Sequence, residues 1–444
     1  MMTDRRSFLR SAGSGAFAAP FFIRELLSKP PSGTVRLASF GAAGMAFSTL
    51  DGIASHPKVK LVCVAEVDAD RLERVKQKYP GARLYRDWRE MLHKERGQLD
   101  AACVGTPDHM HAPLAISSMR AGLPVYVQKP LAHNIHEVRA LMKMAREKKL
   151  PTQMGIQIHS WREYKTAVRV IQSGVIGKVK EVHTWSEKKW GDSERLPRVP
   201  ETGADVVPAS LNWDHWLGVA AARPFIKDVY HPGNWRKRLD FGTATFGDMG
   251  CHILDPVFGA LQLGSPLSVR SEGAAPNGES WALNTLIRYV FPGTLFTAEK
   301  TVPVTWYDGD RLPPEEVRAL TGSVKFPGQG SIFIGTKGQM LLPHITMPVL
   351  LPAADFSGFV MPEEVRTDHY FEFAEAVLGN GKTSTPFEYS GPLTEAVLLG
   401  PLATRFPNTT LQWHGVKAKF SNSAEANGFL RRKYRAGWSV AGLG

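Results

Sequence analysis

Short apolar runs alternate with helix-spaced segments from residue 34 to about residue 128. Thr34 to Phe40 is apolar and stops at Gly41, and Met45 to Ser55 suits a helix. Val59 to Val67 is a second apolar run, ending near Glu66 and Asp68. Asp70 to Lys78 has helical composition and closes at Pro80-Gly81. Asp100 to Gly105 reads as a third strand, Pro113 to Arg120 as a helix stopped by Gly122, and Pro124 to Gln128 as a fourth strand. Strands this apolar, separated by helices, predict a parallel sheet with crossover helices on its faces. Asn134, with Glu137 three residues on, predicts a capped helix running to about Lys149. A strand-like Pro151 to Gln157 and a helix from Trp161 to Ser173 follow.

From about residue 178 the pattern changes. Longer strand-like runs (Val179 to Trp185, Ser280 to Phe291, Leu295 to Trp306, Gly330 to Leu342) predict a second α/β domain on a large, mostly antiparallel open sheet. Residues 186 to 242 are irregular and proline-rich, a length of loop that usually carries function. We divide the chain into residues 1–33, 34–152 and 153–444, and 444 residues exceed one ordinary core.

The first 33 residues stand apart. Asp4-Arg5-Arg6-Ser7-Phe8-Leu9-Arg10, a mildly apolar Gly/Ala run and Ala16-Phe17-Ala18 look like a twin-arginine export signal, so a periplasmic or otherwise exported location is expected. That run is too short to span a bilayer, and no stable membrane insertion is expected. The formal charge of +12 raises nucleic acid as a partner. Part of the excess sits at the two termini, no nucleic-acid module lies between them, and a basic solvated surface is the better reading. Cys63, Cys103 and Cys251 make no disulfide framework, although Cys251 beside His252 raises a reactive thiol.

The first strand opens into Gly41-Ala42-Ala43-Gly44-Met45-Ala46. Matched to G-x-G-x-x-G, Ala43 and Ala46 replace the second and third glycines. The methyl of Ala43 then faces the pyrophosphate, whereas alanine is common at the third position. Glu66, 25 residues beyond Gly41, could accept hydrogen bonds from the adenosine ribose, with Asp68 as second candidate. A carboxylate there repels a 2′-phosphate, so the first domain reads as a Rossmann fold favouring NAD over NADP. The third strand ends in Thr106-Pro107-Asp108-His109-Met110-His111, polar groups at the sheet's carboxyl edge near the expected nicotinamide ribose.

Those residues, with Ala121-Gly122, Gln128-Lys129-Pro130-Leu131 and the Asp248-x-x-x-His252 pair, resemble the Gfo/Idh/MocA oxidoreductases over residues 34 to 440. The resemblance implies an N-terminal NAD(P)-binding domain. It also implies a C-terminal domain whose sheet serves the substrate and homo-oligomerisation, and a carbohydrate or polyol substrate. The family's E-K-P appears here as Gln128-Lys129-Pro130, so the lysine carries over and its acidic neighbour does not. Lys129, Asp248 and His252 are the expected catalytic set. His252 would accept a hydroxyl proton as hydride leaves carbon, Asp248 would orient it, and Lys129 would stabilise the developing alkoxide. Gly41, Ala43, Gly44, Met45, Glu66, Thr106, Pro107, His109, His111 and Lys129 are expected around the cofactor. Asp248, His252 and Asp255 also have metal-site spacing, but no metal is expected.

Six tryptophans fall between residues 161 and 235, where indole faces could stack on sugar rings or fill a core. Trp185, Tyr230, His231, Trp235 and Arg236 are the substrate candidates, together with Lys129 and His252. An exported enzyme cannot draw on cytoplasmic cofactor, so a retained cofactor and a redox-neutral cycle are expected. A glycosidase acting through transient oxidation and elimination is the alternative, and a non-catalytic carbohydrate-binding protein on the same fold is a third reading.

Overall fold

The computed structural model describes residues 33–194 and 203–444, so the expected twin-arginine segment lies outside the described residues. Six parallel strands form the first sheet: β1 (Val35–Phe40), β2 (Val59–Ala65), β3 (Arg83–Tyr85), β4 (Ala101–Val104), β5 (Val125–Gln128) and β6 (Thr152–Gly155). Their order is β3-β2-β1-β4-β5-β6. The order reverses between β1 and β4, and ligands of such sheets bind outside the carboxyl ends at that point. β6 pairs with β5 through Gly155, so the sheet crosses the expected boundary at residue 152.

The second sheet has nine strands. They are β7 (Val179–Ser186), β8 (Ser268–Glu272), β9 (Leu286–Pro292), β10 (Thr301–Asp308), β11 (Gln329–Gly335), β12 (Gln339–Pro343), β13 (Val349–Leu351), β14 (Thr410–His414) and β15 (Lys419–Phe420). The order is β13-β12-β11-β7-β10-β9-β8-β14-β15. β7 and β10 run parallel and the remaining neighbours antiparallel. Helices Ala244–Ile253 and Phe387–Ala403 cover one face, where Phe246 stacks on Trp306 and Tyr289 donates to the Ala396 carbonyl.

The expected run Gly330 to Leu342 is a hairpin, because the chain reverses at Thr336–Gly338 and pairs β11 with β12. The runs expected from Ser280 and Leu295 become strands only at Leu286 and Thr301. Asn134 caps the helix Ile135–Lys148 by accepting from the Glu137 amide, as the spacing predicts.

Residues from Tyr434 onward return to the first domain. Tyr434 donates to buried Glu137 at 2.8 Å, His136 Nε2 lies 3.0 Å from the Gly442 carbonyl, and Arg89 sits over the Trp438 ring. Trp438 and Leu443, within this tail, are buried.

Candidate active site

The glycine loop shows why each small residue is needed. Gly41 has φ +99°, which side chains rarely adopt, and a Cβ there would meet the Ala46 Cβ at 2.9 Å. A Cβ on Gly105, after β4, would lie 2.7 Å from both Ala46 Cα and Cβ. Helix Met45–Ala54 therefore packs directly against the end of β4 through Ala46. Gly44 (φ +56°) faces open space, and no side chain caps the helix that begins after it. Glu66 accepts from the amides of Ala42 (2.9 Å) and Asp68 (3.1 Å), and burial raises its pKa.

Gly41, Ala43, Gly44, Met45, Glu66, Thr106, Pro107 and His111 all line one cavity of about 590 Å³. The Thr106 hydroxyl is buried there without a hydrogen-bond partner among the described residues. An open glycine turn, an uncapped helix start and an orphaned hydroxyl at the sheet's switch point fit a dinucleotide. The ring nitrogens of His111 lie 2.8 and 2.7 Å from the Thr106 and Pro130 carbonyls, and the neutral imidazole donates to one of them, between the β4 loop and the segment that carries Lys129. His109 does not line the cavity. It is fully buried between Trp216 and Phe241, so its expected cofactor contact is corrected to a packing role.

Lys129, Asp248 and His252 line the same cavity. Lys129 donates to Asp248 Oδ1 at 2.7 Å and to the Asp248 carbonyl. Trp190 donates to Asp248 Oδ2 at 2.9 Å, with Arg236 at 3.3 Å and Lys188 at 3.6 Å from the same carboxylate. Burial alone would raise the Asp248 pKa, but Lys129, Arg236 and Lys188 outweigh it and hold the group ionised far below the usual carboxylate range. The expected Asp248–His252 pairing is therefore corrected. Asp248 fixes the lysine, because three cations compete for a short carboxylate that a neutral imidazole cannot win. Gln128, in place of an acidic residue, donates to Thr49 at 2.8 Å and leaves Asp248 as the carboxylate paired with Lys129.

His252 is buried and its Nδ1 has no partner among the described residues. Burial, then Lys129 and His344, push its pKa well below the ordinary value, so the imidazole is neutral near pH 7. His344, just beyond β12, has its ring 6.2 Å from that of His252 and hydrogen-bonds the Tyr164 hydroxyl at 2.8 Å. Burial, then Lys188 and Lys129, lower His344 to about 4.

Trp235 and Arg236 line the cavity as expected. His231 does too, on the Asp68 side, 3.0 Å from that carboxylate and 3.1 Å from Arg71. Two candidates fail. Trp185 is fully buried against Phe326 and donates to the Pro327 carbonyl, and Tyr230 is packed among Trp213, Trp216 and Phe241. Both serve cores, the more general use of aromatic surface. Asp255 bonds His159 and Tyr389 beside a separate cavity, so it does not converge with Asp248 and His252. Burial pushes the Cys251 thiol up to about 12, which removes the reactive-thiol reading. Lys188, Trp190 and His344 were not among the candidate site residues. The lysine–tryptophan segment directly after β7 was a usable signal for the first two, and nothing local marked His344.

Residues 35–156 match an oxidoreductase family's NAD-binding Rossmann fold, and residues 163–292 match that family's C-terminal alpha/beta domain. Among curated proteins, the chain is 30% identical over 126 residues to scyllo-inositol 2-dehydrogenase (NAD(+)) of Bacillus subtilis, covering 28% of this chain and 36% of that one. It is 25% identical over 203 residues to alpha-N-acetylgalactosaminidase of Shewanella oneidensis, covering 39% and 44%. The chain thus spans less than half the length of these relatives. The WlbA dehydrogenase from Bordetella pertussis, solved with NADH and UDP-GlcNAcA, shares the fold at TM-score 0.60 and 15% identity, covering 86% of this chain and 99% of that one.

Proposed function

This chain belongs to the Gfo/Idh/MocA family of NAD-binding oxidoreductases, and on that premise we propose that it transfers hydride between a nicotinamide cofactor and a hydroxyl carbon of a sugar or sugar derivative. One observation carries the reading. Lys129 from the parallel sheet and His252 from a second-domain helix enter one cavity with the glycine loop and Glu66. The bound cofactor supplies the hydride acceptor. Lys129, held by Asp248, is placed to stabilise an alkoxide, and neutral His252 is placed to take the hydroxyl proton. Trp235 and Trp190 offer indole surface to a sugar ring. Glu66 favours NAD over NADP, because its carboxylate would repel a 2′-phosphate.

The twin-arginine-like start supports export, a retained cofactor and a redox-neutral cycle. Assembly through the second sheet follows the family expectation, and light scattering of the purified protein tests it. The likeness to a galactosaminidase supports one second reading: oxidation of a glycoside, elimination of its leaving group, addition of water and re-reduction. Chromogenic glycosides without added cofactor separate the two, since only the second releases chromophore.

Mass spectrometry of the denatured protein should find stoichiometric NAD. Lys129→Met should keep that nucleotide and lose at least about a hundredfold in turnover, the scale of removing one oxyanion donor. Full activity in that variant would end the assignment.

A further inference from the structure

The substrate end of the cavity holds more positive charge than a neutral sugar needs. Lys129, Lys188 and Arg236 surround the single carboxylate of Asp248, an excess of two cations. The neighbouring imidazoles do not offset it, because His252 and His344 are neutral and lack negative charge. Asp108, also lining the cavity, is raised by burial to about 7 and spends one oxygen on the Thr243 hydroxyl. Glu66 lies at the cavity's other end, bonded to two backbone amides.

The geometry of the extra cations points the same way. Arg236 gives only its Nε to Asp248, and its two terminal nitrogens have no partner among the described residues. Its guanidinium is held between indoles, 4.3 Å from the Trp235 ring centroid and 5.4 Å from that of Trp190. Lys188 stands 3.6 Å from Asp248, beyond a hydrogen bond, and its side chain is 44% exposed. A pre-oriented arginine fork beside a second ammonium is what a carboxylate or phosphoryl group takes.

We propose that Lys188 and Arg236 form an anion subsite, and that the sugar acted on carries a carboxylate or phosphoryl substituent bound there. The proposal rests on the hydride-transfer reading and names Lys188 and Arg236 as specificity-determining residues.

The test is a titration of the NADH-loaded protein with glucuronate, galacturonate, glucose 6-phosphate, glucose and galactose, read by tryptophan fluorescence and calorimetry. At least one acidic sugar should bind about tenfold or more tighter than its neutral counterpart, the weight of one hydrogen bond to a charged group. High salt should shrink that advantage. Lys188→Gln and Arg236→Gln should each cut the acid-to-neutral ratio severalfold, and the half-exposed Lys188 guards against misfolding of the arginine variant. Preference for uronates assigns a carboxylate, and preference for glucose 6-phosphate a phosphoryl group. Equal affinity for acidic and neutral sugars, no binding of any acid, or ratios unmoved in both variants overturns the subsite. Neutral sugars oxidised by the NAD-loaded protein as readily as acidic ones would sink this inference alone. Acids bound tightly but never passing hydride to the NAD-loaded protein would sink the hydride-transfer reading and keep the subsite.

Discussion

Protonation at two buried residues can be read out separately. The pKa of His252 is lowered by burial, then by Lys129 and His344, so the base stays neutral below its ordinary value of 6.5. The acid limb of kcat/KM should therefore fall below pH 6.5, and a limb at or above that value would contradict His252 as the base. Asp108 is shifted the other way, from 3.8 to about 7, mainly by burial. Its proton stabilises the fold fully below pH 3.8, and that contribution is lost as pH rises through about 7. Asp108→Asn should thus gain stability relative to the parent between pH 5 and pH 8, measured by urea unfolding; a constant difference would contradict the shift. Sequence motifs located Lys129, Asp248 and His252, yet spacing could show only that the last two share a helical face. Which ion claims Asp248 depends on Lys188, Arg236 and Trp190, whose approach is a tertiary fact.

The parallel-sheet elements were legible because β1, β2, β4 and β5 are largely buried on both faces and read as apolar runs, interrupted only by Arg36, Ser39, Lys60 and Gln128. Helix Phe387–Ala403 was not, since it is buried nearly all round and contains Pro392 and Pro401, so no polar stripe marks it. The β11–β12 hairpin merged into one run because its reversal is short and both flanks are apolar. Contact between helix Met45–Ala54 and the end of β4 gives an element-scale test. Gly105→Ala places a methyl 2.7 Å from Ala46, which should cost about 1–3 kcal/mol and reduce the nucleotide recovered with the protein. Thermal unfolding and nucleotide content check this together, and unchanged values in both would show that the helix is free to move away.

Across the whole molecule, the second domain reaches back over the first at several places besides the Lys129–Asp248 pair, among them His56–Glu375 and Arg139–Glu395. His231 meets Asp68 at the cavity's rim, and the tail from Tyr434 covers the helix that follows Lys129. Neither contact was legible, because both join polar residues far apart in sequence. Deleting residues 431–444 should lower the thermal midpoint by several degrees, since burial of one side chain such as Trp438 or Leu443 is worth about 1.5–3 kcal/mol. An unchanged midpoint would mean the tail merely rests on the surface. Tyr434 and Glu137 are 297 residues apart. At roughly 5–20 residues per second of synthesis, the Glu137 carboxyl waits on the order of 15–60 s for the phenol that closes over it. The nascent nucleotide-binding domain therefore leaves the ribosome unlatched and is fastened only after the chain has grown 297 residues past Glu137.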